Sequence, residues 1–368
     1  MHGVNQRPTP GTFVDELETP VLLIDMDAME HNIGVIAARY RDTDVKLRPH
    51  VKNHKSPQIA WMQISAGGTV GGIVAAKVAE AEVFVEAGIP NVLIANQIVA
   101  PDKVRRLASL AKRADVMVAV DDVEQVRRLS AGANELGATI GVVIEVNTSL
   151  RRAGIRAVEQ AAPLAQAIAD APGLRFKGVM SHQTPTEAYP DREERLRNGS
   201  EYFDMVIEAK LAIEAAGLPV EVVSTGETWT YDVAPTVPGI TEIEGGTYIV
   251  MEVPYAYMTE FRLAAKVMGT VVSRPSDHLA IGDVSVEAIG APGDMPTVEG
   301  SDGVRVQAMS LEGTILESNG PMPLRVGDRY TLLTHQQDMT MNRWDQYVGV
   351  RDGRVEAVFE VTARGCHN

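Results

Sequence analysis

The residues best equipped for chemistry crowd into one short stretch: across positions 47–57 the chain reads LRPHVKNHKSP, with Arg48, His50, Lys52, His54 and Lys55 almost side by side. Basic groups packed this closely repel one another, which disfavours the protonated form of a lysine and leaves an amine free to attack a carbonyl. On an extended backbone His50, Lys52 and His54 share one face while Lys55 points to the other, so Lys52 is the better nucleophile. The plainer alternative is a solvated basic loop. A second segment, VVSTGETWTY at 222–231, ends an apolar run with small residues whose amides can face an anion, the way barrel enzymes hold a phosphate. It also reads as an ordinary turn.

Groups of this kind need a rigid frame, and the spacing of apolar runs describes one. From about Thr19 to about Glu260 short apolar runs alternate with amphipathic helical stretches: PVLLID, VKLRPH, GGIVAA, NVLIAN, DVMVAV, IGVVIEV, RFKGVMS, VEVVSTG and TEIEGGTYIVME are each coupled to helical patterns such as DVEQVRRLSAGANELG. The count is close to eight strand-helix units, which predicts an α/β fold of the (β/α)8 TIM-barrel type, with reactive groups where strands end. Beyond Phe261 the texture changes to strand-like alternation broken by Gly, Pro and Asp turns, as in GVRVQAMSLEGTI and RYTLLTH, which predicts a second, smaller, mostly-β domain.

Composition narrows the function further. With 34 Lys plus Arg against 49 Asp plus Glu, the 368-residue chain carries a net charge of −15, which argues against nucleic acid or an anionic membrane as partner. The single cysteine, Cys366, excludes a disulfide framework and a cysteine zinc cluster and fits a reducing compartment. The opening residues lack the charged start and apolar run of a secretory signal, so a cytoplasmic location is expected. His31 and His278 read as exposed, and Trp61, Trp229 and Trp344 as packing residues, with Trp229 able to line a pocket from the 222–231 turn.

The RPHVKNHK motif resembles the strand that carries the Schiff-base lysine in pyridoxal-phosphate enzymes of the alanine-racemase barrel type, specifically the branch of D-threonine aldolases, 3-hydroxyaspartate aldolases and D-serine dehydratases. The likeness continues through ETPVLLIDMDAMEHNI, GIVAAKVAEAEVFVEAGIPNVLIAN and WDQYVGVRDGRVEAV, and so spans nearly the whole chain. It implies a cofactor-binding barrel over 28–260 and a β domain built from 1–27 plus 261–368, with a homodimer as the family expectation. It assigns the Schiff base to Lys52, with His50 beside the cofactor.

The same resemblance assigns the phosphate cradle to Thr225, Gly226, Glu227 and Thr228 with Gly246 and Thr247. Glu227 stands where the family has glycine, and an acid next to a phosphate is tolerable only if its backbone alone faces inward. Arg152, next to Arg151, stands where the family's arginine touches the cofactor's phenolic oxygen; a surface salt bridge is the alternative. His182 replaces a tyrosine frequent at that place, with Gln183 after it, and reads equally as a buried core histidine.

Relatives hold a divalent metal with a His and, two residues on, a Cys or Asp. Here Asp338 matches the second ligand, Gln336 falls at the His position, and His335 lies one residue earlier. Together His335 and Asp338 suit an oxygen-preferring ion such as Mg²⁺ or Mn²⁺, or else form a His-Asp pair without metal. The activity implied is retro-aldol cleavage of a D-3-hydroxy amino acid to glycine and an aldehyde, with His335 or His182 assisting Lys52. Dehydration is the rival; racemization and a noncatalytic cofactor carrier are more distant alternatives.

Overall fold

A computed structural model describes residues 7–148, 152–183, 188–290 and 294–368. They fall into two compact units, one within 34–52, 60–246 and 366–368, the other within 1–33, 53–59 and 247–365.

The first unit is built on an eight-stranded parallel sheet: Lys46–Leu47, Ile73–Ala75, Asn91–Ile94, Asp115–Val120, Ile140–Glu145, Leu174–Met180, Val222–Ser224 and Glu242–Ile243. Helices such as Pro101–Leu110 and Val123–Leu136 connect successive strands. Strands covered on both faces need apolar residues at every position, and Ile140–Glu145 is buried throughout its length. Leu47 pairs with Ile243 on one side and Thr69 on the other, and His50 pairs with Val74, so the sheet closes on itself as a barrel. Val74, Leu93, Met117, Val143 and Met180 fill its interior.

Two expected strands are shorter than their apolar patterns suggest. The run ending at His50 is a strand only over Lys46–Leu47, because Pro49 has no N–H to give and contributes only its carbonyl, which accepts Val74 N at 2.8 Å. Lys52 therefore sits on a 3-10 turn, Val51–Asn53, and does not share a strand face with His50 and His54. Likewise TEIEGGTYIVME is strand only over Glu242–Ile243, and after Gly245 and Gly246 the chain turns into the 3-10 segment Thr247–Ile249.

The second unit is a nine-stranded, mainly antiparallel sheet. Its central strand comes from the other end of the chain: Val21–Asp25 pairs antiparallel with Ala265–Ser276 and parallel with Gln346–Arg351. Beside residues of the expected 1–27 plus 261–368, the unit covers 28–33, 53–59 and 247–260, and 366–368 fall to the other unit. Residues 28–33 join through Asn32 Nδ2 to Arg262 O (2.8 Å) and the His31 ring to Glu260 O (3.0 Å), so His31 is part-buried rather than exposed. Residues 250–253 join through Ala264 N to Val250 O and Val253 N to Thr334 O. No helix among the described residues is long and apolar enough to cross a membrane.

Candidate active site

Within the barrel unit, the ends of several strands bring the chemical side chains together. Lys52 is half-buried on its turn, and its backbone N–H donates to His50 Nδ1 at 3.3 Å. The His50 ring, almost fully buried, meets the His182 ring edge-on with centroids 6.4 Å apart. His182 follows the strand Leu174–Met180, and its carbonyl accepts from Thr148 Oγ1 at 3.4 Å. Burial, reinforced by the positive charges of Lys52 and Arg152, holds the His182 ring well below its ordinary pKa. A neutral imidazole at pH 7 keeps a lone pair able to accept a proton.

Arg152 stands on the loop after Ile140–Glu145, half-exposed, with Nη2 3.8 Å from Glu145 Oε1. Arg151 lies outside the described residues. Glu145 is buried and receives a 2.5 Å hydrogen bond from Gln97 Nε2. Burial raises its pKa; Gln97 and Arg152 work in the opposite direction.

On the neighbouring strand ends, Thr225 Oγ1 meets Ser181 Oγ and accepts from Gln183 Nε2 at 3.4 Å. Gln183 Nε2 also donates to Tyr202 O at 3.0 Å, while its Oε1 is buried without a hydrogen-bond partner among the described residues. Gly226, with φ +85°, makes the turn into the 3-10 segment Thr228–Thr230, and Glu227 N closes it on Thr230 Oγ1 at 3.0 Å. The Glu227 side chain is buried as well. Trp229 is fully buried, stacked on Tyr189 and met edge-on by Tyr202, so it packs this turn.

Several buried polar side chains accompany the apolar filling of the barrel. Arg48 binds Glu242 through two hydrogen bonds, 2.6 and 2.9 Å, and donates to Asn91 Oδ1 at 2.5 Å. Two residues after Glu242 on the same face, Glu244 accepts from Ser224 Oγ at 2.8 Å, and its Oε2 is buried without a partner among the described residues. Burial pushes the Glu244 carboxyl up to about 8; Ser224 opposes, Glu242 and Glu145 add to the rise, and Arg48 offsets a little. Glu145, Glu242 and Glu244 were not among the expected site residues. The signal for them is a carboxylate closing or interrupting a wholly apolar strand, as in IGVVIE and TEIE.

Pyridoxal phosphate fits these groups. An amine for its aldehyde stands at Lys52, a glycine turn of the kind that receives phosphate at Gly226, and a cation for its phenolate at Arg152. The buried oxygens of Gln183 and Glu244 are polar atoms that a polar ligand would satisfy.

In the second unit, Thr247 O accepts from Gln337 Nε2 at 3.2 Å, and Gln337 N donates to Glu252 Oε2 at 3.0 Å. His335 has Nδ1 3.9 Å from Asp294 Oδ2 and Nε2 3.3 Å from Thr297 Oγ1. Asp338 lies one turn on, in the short helix Gln337–Met341. Among the described residues no three His, Cys, Asp or Glu side chains cluster closely enough to hold a metal. His278 is exposed, its Nδ1 bonded to Gly320 O.

The family profile "Alanine racemase, N-terminal domain" matches residues 24–254, and a serine dehydratase domain profile matches residues 264–350. A 3-hydroxy-D-aspartate aldolase of Paracoccus denitrificans (strain Pd 1222) is 35% identical over 97% of this chain and 94% of its own length. The crystal structure of D-threonine aldolase from Filomicrobium marinum superposes with a TM-score of 0.93 at 34% identity, covering 98% of this chain and all of that one. D-threo-3-hydroxyaspartate dehydratase from Delftia sp. HT23 superposes with a TM-score of 0.85 at 26% identity, covering 95% and 98%. That dehydratase has also been solved, as a mutant, in a metal-free form.

Proposed function

We propose that this chain, which belongs to the alanine racemase-like barrel family and to its branch of D-3-hydroxy amino acid lyases, is an aldolase that cleaves a D-3-hydroxy amino acid of the threonine or 3-hydroxyaspartate type. The observation that carries the reading is the buried ring of His182, 6.4 Å from the ring of His50, which in turn accepts from the backbone of Lys52; burial favours the neutral form of the His182 ring. Retro-aldol cleavage begins with loss of the 3-hydroxyl proton, which unassisted is far too costly near pH 7, and this ring is a base in the right charge state.

When bound, pyridoxal phosphate supplies an aldehyde for an amine and a conjugated ring that can take up an electron pair. Lys52 would hold that aldehyde and give way to the amino group of the substrate. Arg152 would place a positive charge near the phenolic oxygen, and the turn at Gly226 would hold the phosphate end. His182 accepts the proton of the 3-hydroxyl; the C–O bond closes to a carbonyl as the bond between Cα and Cβ breaks, and the aldehyde leaves. A proton held at His182 or Lys52 then returns to Cα, and glycine departs.

Borohydride reduction of the holoenzyme followed by peptide mapping tests the anchor. The adduct is expected on Lys52; an adduct on Lys55, or none, removes this mechanism. Incubation with D-threonine and with D-3-hydroxyaspartate is expected to yield glycine and the matching aldehyde. A second reading, dehydration, draws support from the superposition on the Delftia enzyme. In that case ammonia and a keto acid accumulate in place of glycine.

A further inference from the structure

Residues 153–155, which follow Arg152, are tied to the end of the strand Ile140–Glu145 and to its neighbour. Ile155 N donates to Glu145 O at 2.9 Å, Asn147 N to Ile155 O at 3.1 Å, and Asn147 Nδ2 to Ala153 O at 3.0 Å. Gly154 N donates to Asp121 Oδ2 at 2.6 Å, so the next strand's end also grips the loop. These contacts fold the chain back so that Arg152 lies over the carboxylate at the tip of its own strand.

That carboxylate belongs to no part of the proposed reaction, yet it is buried in a position where an unpaired acid would be expensive. One oxygen is taken by Gln97 Nε2 at 2.5 Å from another strand end, and the other faces Arg152 Nη2 at 3.8 Å. A buried acid clamped by an amide on one side and offered to a half-exposed guanidinium on the other is a device for fixing where the guanidinium rests. We propose that Glu145, held by Gln97, is a positioning residue that keeps Arg152 against the cofactor's phenolic oxygen.

Arg152 has four rotatable side-chain bonds and is half-exposed, and without an anchor its charge would be spread over many positions. The inference rests on the reading that places pyridoxal phosphate at Lys52. Asp121 and Arg156 are the other charged groups that act on Glu145, and neither offers Arg152 an equivalent anchor.

The test is a double-mutant cycle on the full-length protein with E145Q, R152Q and the double variant, together with E145D and Q97A. Two quantities are read: the Kd for pyridoxal phosphate and the pH midpoint of the visible absorbance of the Lys52-bound cofactor. E145Q is expected to raise Kd about tenfold, equivalent to about 1.4 kcal/mol, and to move the midpoint, but to do neither in the R152Q background. E145D should recover part of both effects, and Q97A should reproduce a smaller version of them. Equal effects of E145Q with and without Arg152, or no effect at all, overturn the proposal. Failure of the underlying cofactor reading looks different: the borohydride adduct on Lys52 would be missing from the wild type itself.

Discussion

Arg48 and Glu242, 194 positions apart in the chain, meet inside the barrel in a two-pronged ion pair at 2.6 and 2.9 Å, both side chains almost wholly buried. The pair joins the strand before Lys52 to the strand that closes the barrel, so it fixes the height of the lysine turn. Removing one partner strands a charge in the interior. R48M is expected to lose about 3–5 kcal/mol in urea unfolding, and R48M/E242M to regain most of it. A loss under about 1 kcal/mol for the single variant would mean that water reaches the pair.

His182 makes stability depend on acid. Its folded pKa lies well below the ordinary 6.5, so both states are neutral above that pH and only the unfolded chain takes the proton just below it. Stability should therefore fall as pH drops below about 6.5, by about 1.4 kcal/mol per unit for this one group. H182Q, compared with wild type at pH 6.5 and 5.5 without cofactor, should show a shallower decline by roughly 1 kcal/mol. Parallel declines would contradict a buried, neutral ring. In the loaded enzyme the same variant should lower kcat about a hundredfold or more.

Glu244 works in the opposite direction. Its carboxyl, ordinarily near 4.5, is pushed up to about 8 in the fold, so the native state holds a proton that the unfolded chain has already released. Stability contributed by this group is complete below pH 4.5 and drains away as pH rises through 8. E244Q carries the neutral form permanently and should be more stable than wild type at pH 9, on the order of 3 kcal/mol in the cofactor-free protein, with little difference at pH 5. A constant offset between the two proteins across that range would show that Glu244 ionises freely.

Gly154 has φ +105°, and a Cβ there would lie 2.7 Å from Asn147 N, so the loop under Arg152 cannot take a side chain without moving. G154A is expected to cost about 1–3 kcal/mol and to weaken cofactor binding. G137A is the control: its φ of +61° is also left-handed, but a Cβ would meet nothing within 4 Å, so strain appears without displacement of Arg152. Equal cofactor affinities in the two variants would separate the loop from the cofactor.

The long apolar strands of the barrel were legible because burial on both faces leaves an uninterrupted signature, as in DVMVAV and IGVVIE. The segments that carry the chemistry were less so. Pro49 cuts the ladder before Lys52, and Gly245 with Gly246 ends the closing strand after Glu242–Ile243, because functional turns need backbone that a regular strand lacks. The basic run 48–55 announced itself by composition. Its partner Glu242 did not, because which acid faces which base depends on closure of the sheet between residues nearly two hundred positions apart. His335 adds a contact that spacing could not announce: its ring faces Asp294, forty-one residues upstream by number.

The strand Val21–Asp25, lodged between Ala265–Ser276 and Gln346–Arg351, sets a timetable for synthesis. It is made before the barrel, yet both of its neighbours leave the ribosome only after the barrel strands have been translated. Until then its apolar edge has nothing to pair with, while the eight parallel strands can already assemble. A chain cut short before 346 would thus keep Val21–Asp25 paired with Ala265–Ser276 but leave its other edge open, the form a quality-control protease would meet first.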